Sequence, residues 1–302
     1  MSDIKKDLVF ILSGGRTGTQ FLGDRLSSAI PQSFSVHEPD VLSIFIKRVP
    51  GRLRTFGLWN MTIGKITGQT GVRSIGQRLI TGKIDLSTAL MRLKRSRESY
   101  HSSMDAPLII ESNSQWLYVC DELAMNWPHA RIIVVARDPR TWIRSWLNKG
   151  VRWRWYDPVR WVPPGRLTPA LVDDREGIHY WNSSGPLGRL AWEWGFVYDR
   201  LLRHVKTNTN ARLFRFEDIF HHENQFKMCQ LVEFAAQHSS GKYEYYVPEN
   251  FTSSVRNASH GTAASWHNWS RSEAKLVDRF CGPLMKSLGY GNEESWRLKI
   301  AP

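Results

Sequence analysis

The chain has 302 residues, 41% of them hydrophobic and 23% charged, so it can bury a substantial core and is too apolar to be wholly disordered. Its three cysteines stand far apart with no C-x-x-C pair, which argues against a disulfide framework and a zinc site. Because no apolar run reaches the roughly 18 residues of a membrane span, and the first run is too short for a signal peptide, we expect a soluble, cytoplasmic protein.

The formal net charge of +13 is concentrated in one segment. Residues 41–100 hold twelve Lys or Arg against two acidic residues. Such an excess is typical of a surface that meets nucleic acid, an anionic membrane or an acidic substrate, and also of a plain solvated face. Nucleic acid is disfavoured as a partner because the segment has few aromatic residues for stacking and matches no known nucleic-acid-binding module.

Five short apolar runs predict five β-strands: DLVFILS at 7–13, SFSVHE at 33–38, PLIIES at 107–112, ARIIVVAR at 130–137 and ARLFRFED at 211–218. Continuous apolar runs separated by helical stretches are typical of parallel strands covered on both faces. The sequence therefore predicts one α/β domain over residues 1–302, with a central, mostly parallel five-stranded sheet in a three-layer, P-loop-type fold. Ligands of such sheets bind at the carboxyl ends of the strands.

The first strand runs into a glycine-rich loop, SGGRTGT, and then into a helical pattern. Backbone N–H groups of such a loop and the positive end of the following helix form a cradle for an anion. A Walker A motif would place a Lys directly before its Ser or Thr, whereas the cation here, Arg16, lies inside the loop. We therefore predict an anion site that needs no metal-bound triphosphate, built from Gly14, Gly15, Arg16, Thr17, Gly18 and Thr19; a structural corner without a ligand is the alternative.

The tripeptide HEP follows the second strand. A carboxylate at a strand end can accept the proton of an attacking hydroxyl, so we predict Glu38 as a general base. In a regular strand the neighbouring His37 would point to the opposite side, which makes it an alternative base rather than a partner. After the third strand, Asn113 either orients a ligand or forms a turn.

Residues 41–100 are punctuated by glycines and weakly helical, and we interpret them as an insertion over the active face. Their clearest helix is DLSTALMRLKRSRES, with Asp85 as its N-terminal cap. Residues 142–194 hold eight of the 14 Trp, some interleaved with Arg in VRWRWYDPVRWVPPGR. These Trp fit either core packing or a surface that stacks on sugars.

The fourth strand ends in VVARDPRTWIRSWLNKG, where Arg137 closes the strand and Ser145 follows on a helix eight positions later. A guanidinium can grip a phosphate with two parallel hydrogen bonds, and a nearby hydroxyl can donate a third. This pair predicts a second anion site beside the first.

The two elements together resemble the signatures of sulfotransferases that use 3′-phosphoadenosine 5′-phosphosulfate (PAPS). RFEDIF at 215–220 and SWHNWS…CGPLMKSLGY at 265–290 are similar to further segments of that family, and HEP is similar to the Glu-Pro of its carbohydrate-type members. Two departures are Phe216, where the family has Tyr, and SVRNASHGTAASW, which replaces its late glycine-and-lysine loop.

The resemblance implies transfer of a sulfuryl group from PAPS to a hydroxyl acceptor, releasing adenosine 3′,5′-bisphosphate, without a metal. Residues 14–19 would hold the 5′-phosphosulfate, with Arg16 neutralising charge on the bridging oxygen. Arg137, Ser145, Arg256 and Gly261 would hold the 3′-phosphate. A carbohydrate or glycolipid acceptor is favoured, with tyrosyl peptides and small alcohols as alternatives, and the basic 41–100 segment could touch an anionic membrane.

Two other function classes stay open from the sequence. A P-loop NTPase or kinase would need a Walker Lys and an acidic Mg²⁺ ligand after a strand, where this chain has Arg137. A basic adaptor protein would bind membranes or nucleic acid through residues 41–100, with affinity that falls steeply with salt.

Overall fold

The computed structural model describes residues 6–40, 53, 55–157, 159, 164–220, 225–253 and 261–301. At its centre lies a sheet of five strands: β1 (Asp7–Ser13), β2 (Ser33–His37), β3 (Leu108–Ser112), β4 (Arg131–Ala136) and β5 (Ala211–Arg215). The spatial order is β2-β3-β1-β4-β5, and every neighbouring pair is parallel. The predicted α/β fold with a five-stranded parallel sheet is confirmed.

The helices begin and end as follows: α1 Thr19–Ala29, α2 Leu58–Met61, α3 Ile63–Thr67, α4 Val72–Ile80, α5 Leu86–Ser102, α6 Cys120–Asn126, α7 Pro139–Lys149, α8 Arg175–Trp181, α9 Gly185–Thr207, α10 Phe216–Ile219, α11 Phe226–Ala236, α12 Arg271–Ser287 and α13 Glu294–Ile300. Short 3₁₀ helices lie at Ser114–Val119, Pro169–Leu171 and Trp266–Asn268, and a two-stranded antiparallel ribbon joins β6 (Gln237–His238) to β7 (Gly241–Lys242). Among the described residues, none of the helices combines the length and apolar character that crossing a bilayer requires.

Both faces of the sheet are covered. Along β1, Val9 and Ile11 are buried against α1 and α11, whereas Phe10 and Leu12 are buried in a second core formed with α4, α5, α7, α9 and α12. Alternate residues of a strand point to opposite faces, so a strand buried on both sides carries an unbroken apolar run. This is the physical reason why the apolar runs predicted the strands.

The chain leaves β1 and β4 toward opposite faces of the sheet. Helix α1, which follows β1, packs in one core, and α7, which follows β4, packs in the other. Since β1 and β4 are neighbours, their carboxyl ends separate into a crevice, and open α/β sheets bind ligands at such a point. The two predicted anion-binding segments therefore meet at one place.

The described part of the 41–100 segment packs into the second core, which contains Phe10 and Leu12. Val72, Ile75, Ala89 and Leu93 of α4 and α5 are fully buried there. As predicted, Asp85 caps α5, its Oδ1 accepting a hydrogen bond from the backbone N–H of Thr88 at 2.7 Å. These helices therefore contribute to one layer of the fold, and the insertion over the active face stays a prediction.

The Trp-rich segment serves mainly as core. Trp142, Trp153, Trp192 and Trp194 are buried, whereas Trp155 is 80% exposed. Trp161 lies outside the described residues. Core packing therefore explains most of the Trp content between 142 and 194.

Candidate functional site

A cavity of about 1170 Å³ opens at the carboxyl ends of the strands. Most of the residues that the sequence singled out line it: Gly14, Gly15, Arg16, Gly18, Thr19, His37, Glu38, Arg137, Ser145 and Gly261. Thr17 does not; its side chain is fully buried, and its hydroxyl has no hydrogen-bond partner among the described residues. Arg256 lies outside the described residues.

The glycine-rich loop is held in a left-handed conformation. Gly15, Arg16 and Gly18 have φ values of 75°, 56° and 74°. A Cβ at Gly18 would lie 2.3 Å from the Phe220 ring, so this position needs glycine for space as well as for conformation. Gly18 caps α1 and makes no side-chain hydrogen bond to its first turn. Gly18 and Thr19 line the cavity, so the amino end of α1 faces it.

Two loop amides have acceptors inside the protein. The Gly15 N–H donates to Ser13 Oγ at 3.0 Å, and the Gly14 N–H donates to the Tyr198 hydroxyl at 3.4 Å. These two amides help to fix the shape of the loop, and the binding of an anion by residues 14–19 stays a prediction. The amides nearer α1 are better placed for an anion.

Arg16 connects the two predicted anion sites. Its Nε donates to Ser145 Oγ at 3.1 Å, and its carbonyl accepts a hydrogen bond from Arg137 Nη1 at 2.8 Å. Burial of the Arg16 guanidinium lowers its pKa. The loop after β1 and the Arg137–Ser145 pair thus form one continuous cationic surface.

Arg137 is held firmly from three sides. Its Nε donates to Thr141 Oγ1 at 3.1 Å, and its guanidinium lies 4.4 Å from the ring centre of Phe216. Its carbonyl accepts a hydrogen bond from Trp194 Nε1 at 3.0 Å. Burial lowers the pKa of Arg137, partly offset by the charge of Glu217. A preorganised guanidinium loses little entropy when it binds a phosphate.

Glu38 and His37 lie on the same side. Strand β2 ends at His37, and Glu38 turns into the left-handed region with φ of 42°, so Glu38 Oε2 comes within 3.8 Å of His37 Nε2. The prediction that the two side chains point to opposite sides is wrong, because the strand does not continue through Glu38. Glu38 Oε1 accepts a hydrogen bond from Ser114 Oγ at 2.6 Å, and His37 Nδ1 lies 3.1 Å from the Ser112 carbonyl.

Asn113 has a structural role in this geometry. Its side chain is fully buried and accepts a hydrogen bond from the Gln115 backbone N–H at 2.9 Å, capping the 3₁₀ helix Ser114–Val119. Its Nδ2 also donates to Asp40 Oδ1 at 3.4 Å. Of its two predicted roles, the structure therefore supports the turn.

The late loop reaches the helix that carries Ser145. A Cβ at Gly261 would lie 2.6 Å from Asn148 Oδ1, and the same Asn148 oxygen accepts a hydrogen bond from the Ala263 N–H at 2.8 Å. Arg144 Nε donates to the Ala263 carbonyl at 3.1 Å. Gly261 therefore lies beside α7 on the lining of the cavity, and its contact with a phosphate stays a prediction.

A second wall of the cavity was not predicted from the sequence. Arg152 pairs with Glu193, and its guanidinium lies 4.2 Å from the Trp146 ring centre. Arg166 pairs with Asp157 at 2.5 Å. The interleaving of Arg and Trp in VRWRW was the available signal, but only tertiary contacts show that these cations face the cavity.

The cavity is strongly cationic. Its described lining contains eight basic residues, Arg16, Arg73, Arg137, Arg140, Arg144, Lys149, Arg152 and Arg166, against two acidic ones, Glu38 and Asp157. Trp146 Nε1, also on this lining, is a buried donor with no hydrogen-bond partner among the described residues. Such a donor set fits a ligand with several negative charges.

Three side chains capable of metal binding lie away from this cavity. One potential ligand atom from each of Cys120, Asp121 and His204 falls within 4.8 Å of the others. His204 Nδ1 lies 2.9 Å from Asp121 Oδ1, and Nε2 lies 3.2 Å from Asn208 Nδ2. Burial raises the pKa of the Cys120 thiol to about 12, which disfavours the thiolate that a metal would need.

Comparisons with known proteins give limited information. Neither a scan against models of protein families nor a search of curated proteins gives a match. Among solved structures, ten chains match. One of them, described as "Sulfotransferase Domain from the Curacin Biosynthetic Pathway", is 14% identical, with a TM-score of 0.43 and coverage of 94% of this chain and 98% of that chain.

Proposed function

We propose that the protein is a PAPS-dependent sulfotransferase that modifies a hydroxyl group. The observation that carries the proposal is the joining of the glycine-rich loop, Arg137 and Ser145 in one cavity that also contains Glu38. Bound PAPS supplies a sulfuryl group whose bond to the 5′-phosphate breaks as the acceptor oxygen attacks. The cationic donor set described above fits this multiply charged nucleotide.

In this proposal the residues of the loop act by position and charge. Arg16 and the amino end of α1 would hold the 5′-phosphosulfate, and Arg16 would neutralise charge on the bridging oxygen. Arg137 and Ser145 would hold the 3′-phosphate together with Gly261, which lines the same cavity. Arg256, which lies outside the described residues, is proposed as a further contact of this phosphate. Preorganised donors aimed at developing charge supply much of the rate in group transfer of this kind.

Glu38 would accept the proton of the acceptor hydroxyl. Ser114 occupies Oε1, so Oε2, which faces His37, is the oxygen that remains for this step. If His37 Nδ1 donates to the Ser112 carbonyl, Nε2 carries the lone pair and can take a proton from Glu38 Oε2 afterwards. His37 would then assist Glu38 rather than compete with it.

An NTPase or kinase activity is less compatible with the same residues. Of the two acidic residues on the described lining, Asp157 is paired with Arg166, and one carboxylate oxygen of Glu38 accepts a hydrogen bond from Ser114. Mg²⁺ prefers free carboxylate oxygens and phosphate, so this ligand set is poor for a metal–triphosphate complex.

Nucleotide binding tests the proposal directly. By titration calorimetry in EDTA, we expect adenosine 3′,5′-bisphosphate to bind at least tenfold more tightly than AMP, and Arg137→Ala to weaken that binding by about 10- to 100-fold. Arg203→Ala, a change at an exposed arginine of α9, is the matched control. Tighter binding of ATP with Mg²⁺ than of the bisphosphate would favour the NTPase alternative.

The acceptor belongs to the same proposal. We propose a carbohydrate or glycolipid hydroxyl, because Trp146 and Tyr118 offer aromatic surface on the cavity wall among polar groups. Tyrosyl peptides and small alcohols are the alternatives. Incubation with ³⁵S-labelled PAPS and pools of glycans, glycolipids, peptides and alcohols identifies the class that takes up the label.

Peripheral contact with an anionic membrane is also proposed, through the basic 41–100 segment. Leu58, Trp59, Ile63 and Ile66 are exposed on the adjacent helices α2 and α3. Apolar side chains within a basic segment suit the interface of an anionic bilayer. We expect cosedimentation with phosphatidylserine vesicles that Trp59→Ser reduces and Trp155→Ser does not; equal binding to phosphatidylcholine vesicles would contradict this.

A further inference from the structure

Among the described residues of the cavity's second wall, Arg73 is the cation for which no carboxylate forms an ion pair. Arg152 is paired with Glu193, and Arg166 is paired with Asp157. Arg73 of α4 faces the same cavity, and its Nη2 is buried with no hydrogen-bond partner among the described residues. Burial lowers the pKa of Arg73, and the charges of Arg166 and Arg152 act in the same direction, whereas Tyr118 and Glu193 act against it.

A buried donor without a partner is costly, particularly when it is charged. Removing a guanidinium from water costs several kcal/mol unless hydrogen bonds replace the lost hydration. Three cations and two carboxylates leave a net charge of +1 on this wall, at Arg73. An anion in the cavity would satisfy both the charge and the unpaired N–H groups.

The position of Arg73 relative to Glu38 follows from the 3₁₀ helix Ser114–Val119. At one end, Ser114 binds Glu38; at the other, Tyr118 lies against α4, where a Cβ at Gly76 would be 2.5 Å from Tyr118 Cβ. Gly76 is three residues after Arg73, so both lie on the same face of α4. Tyr118 is four residues after Ser114, which corresponds to about 8 Å along the axis of a 3₁₀ helix.

We propose that the acceptor carries an anionic group close to its reacting hydroxyl, and that Arg73 binds this group. The inference rests on the proposed function and adds the charge of the substrate to it. A carboxylate, a sulfate ester or a phosphate ester would satisfy the same guanidinium. Glu38 and Arg73 line the same cavity, so the hydroxyl and the anion can belong to one acceptor molecule.

Matched sugars test the proposal in protein whose nucleotide site is saturated with adenosine 3′,5′-bisphosphate, so that the probes cannot bind there. The probes are methyl β-D-glucoside, its uronate, its 6-sulfate and its 6-phosphate, titrated by calorimetry. We expect at least one anionic sugar to bind the wild type ten- to a hundredfold more tightly than the neutral sugar. The anionic sugar that binds most tightly shows whether the acceptor carries a carboxylate, a sulfate ester or a phosphate ester.

Three variants complete the experiment. Arg73→Gln should abolish the preference for the anionic sugar, Arg73→Lys should keep part of it, and Lys83→Gln, a change at an exposed cation just after α4, should keep all of it. Equal binding of neutral and anionic sugars to the wild type, or an unchanged preference in Arg73→Gln, would overturn the proposal.

The nucleotide titration on each variant comes first and separates the two proposals. If the bisphosphate fails to bind the wild type, the proposed function is wrong. If it binds wild type and Arg73→Gln alike, the variant is folded, and loss or retention of sugar discrimination then reports on Arg73 alone.

Discussion

Arg16 and Glu38 share an uncommon backbone conformation. Both are non-glycine residues with positive φ, at 56° and 42°. Such conformations cost of order 1–3 kcal/mol and persist where the surrounding structure enforces them, often at functional sites. In this chain they turn a guanidinium and a carboxylate away from the regular strand direction and into one cavity.

At the residue scale, Glu38→Gln tests the general base. We expect kcat with the best labelled acceptor to fall by about 10²- to 10⁴-fold, because an amide cannot accept the hydroxyl proton. Affinity for adenosine 3′,5′-bisphosphate should stay unchanged, since Glu38 lies outside the proposed nucleotide contacts. A rate equal to that of the wild type would contradict the assignment.

His37→Gln is the companion change. In the proposed mechanism His37, whose Nε2 lies 3.8 Å from Glu38 Oε2, receives the proton after Glu38. We expect a smaller loss of kcat than in Glu38→Gln, with a changed pH–rate profile. A larger loss would assign the base role to His37.

At the scale of elements, one buried arginine joins α5 to the sheet. Arg97 Nη2 lies 3.2 Å from Asp40 Oδ1 and 3.1 Å from Glu111 Oε1, and His101 Nε2 lies 3.2 Å from Glu111 Oε2. All four side chains are buried. This network holds the chain that follows β2, and with it Glu38, beside β3.

Arg97→Met should therefore destabilise the protein by about 3–5 kcal/mol, because it leaves two buried carboxylates without their cation. Urea unfolding followed by circular dichroism measures the change. Arg95→Met, at an exposed position of the same helix, should change the free energy of unfolding by no more than about 0.5 kcal/mol. Comparable losses in the two variants would show that Arg97 has no special role.

The ends of the strands and the packing of separate segments explain which site contacts could not be predicted from the sequence. All five strands were predicted to within three residues at each end. Strands β1, β3 and β4 are buried along almost their whole length, which gives them unbroken apolar runs, whereas β2 and β5 are more exposed. The end of β2 was placed one residue late. That single residue decides the direction of Glu38, since side chains alternate along a strand. Likewise, Arg73, Arg152 and Arg166 come from three separate segments, and no local pattern indicates that they share a wall.

At the scale of the whole molecule, several buried carboxylates set the response to acid. Burial would raise the pKa of Asp40, but the charges of Arg97 and Lys65 and a hydrogen bond from Arg97 lower it overall. In the same way, Arg152 lowers the pKa of Glu193, and Arg166 lowers that of Asp157, against the effect of burial.

A depressed folded-state pKa contributes stability that is fully present above the unfolded value, near pH 4, and is lost as the pH falls through the folded value. We therefore expect the urea midpoint to be constant near neutral pH and to drop below about pH 4. Asp40→Asn should show a weaker drop than the wild type. A midpoint that is the same at pH 7 and pH 3 would contradict this account.

The sequence by itself determined the five strands, the α/β class, the glycine-rich loop and the Arg137–Ser145 pair. Each of these features depends on a short stretch of residues: apolar runs for the strands, glycines for the loop, and an arginine with a nearby serine for the pair. The division into one domain with a basic insertion stays a prediction. Only the tertiary structure decided that Arg16 touches both anion sites, that His37 and Glu38 lie together, and that Arg73 is left uncompensated. Arg16 contacts residues 121 and 129 positions away, and such pairings follow from how layers pack rather than from any short stretch of chain.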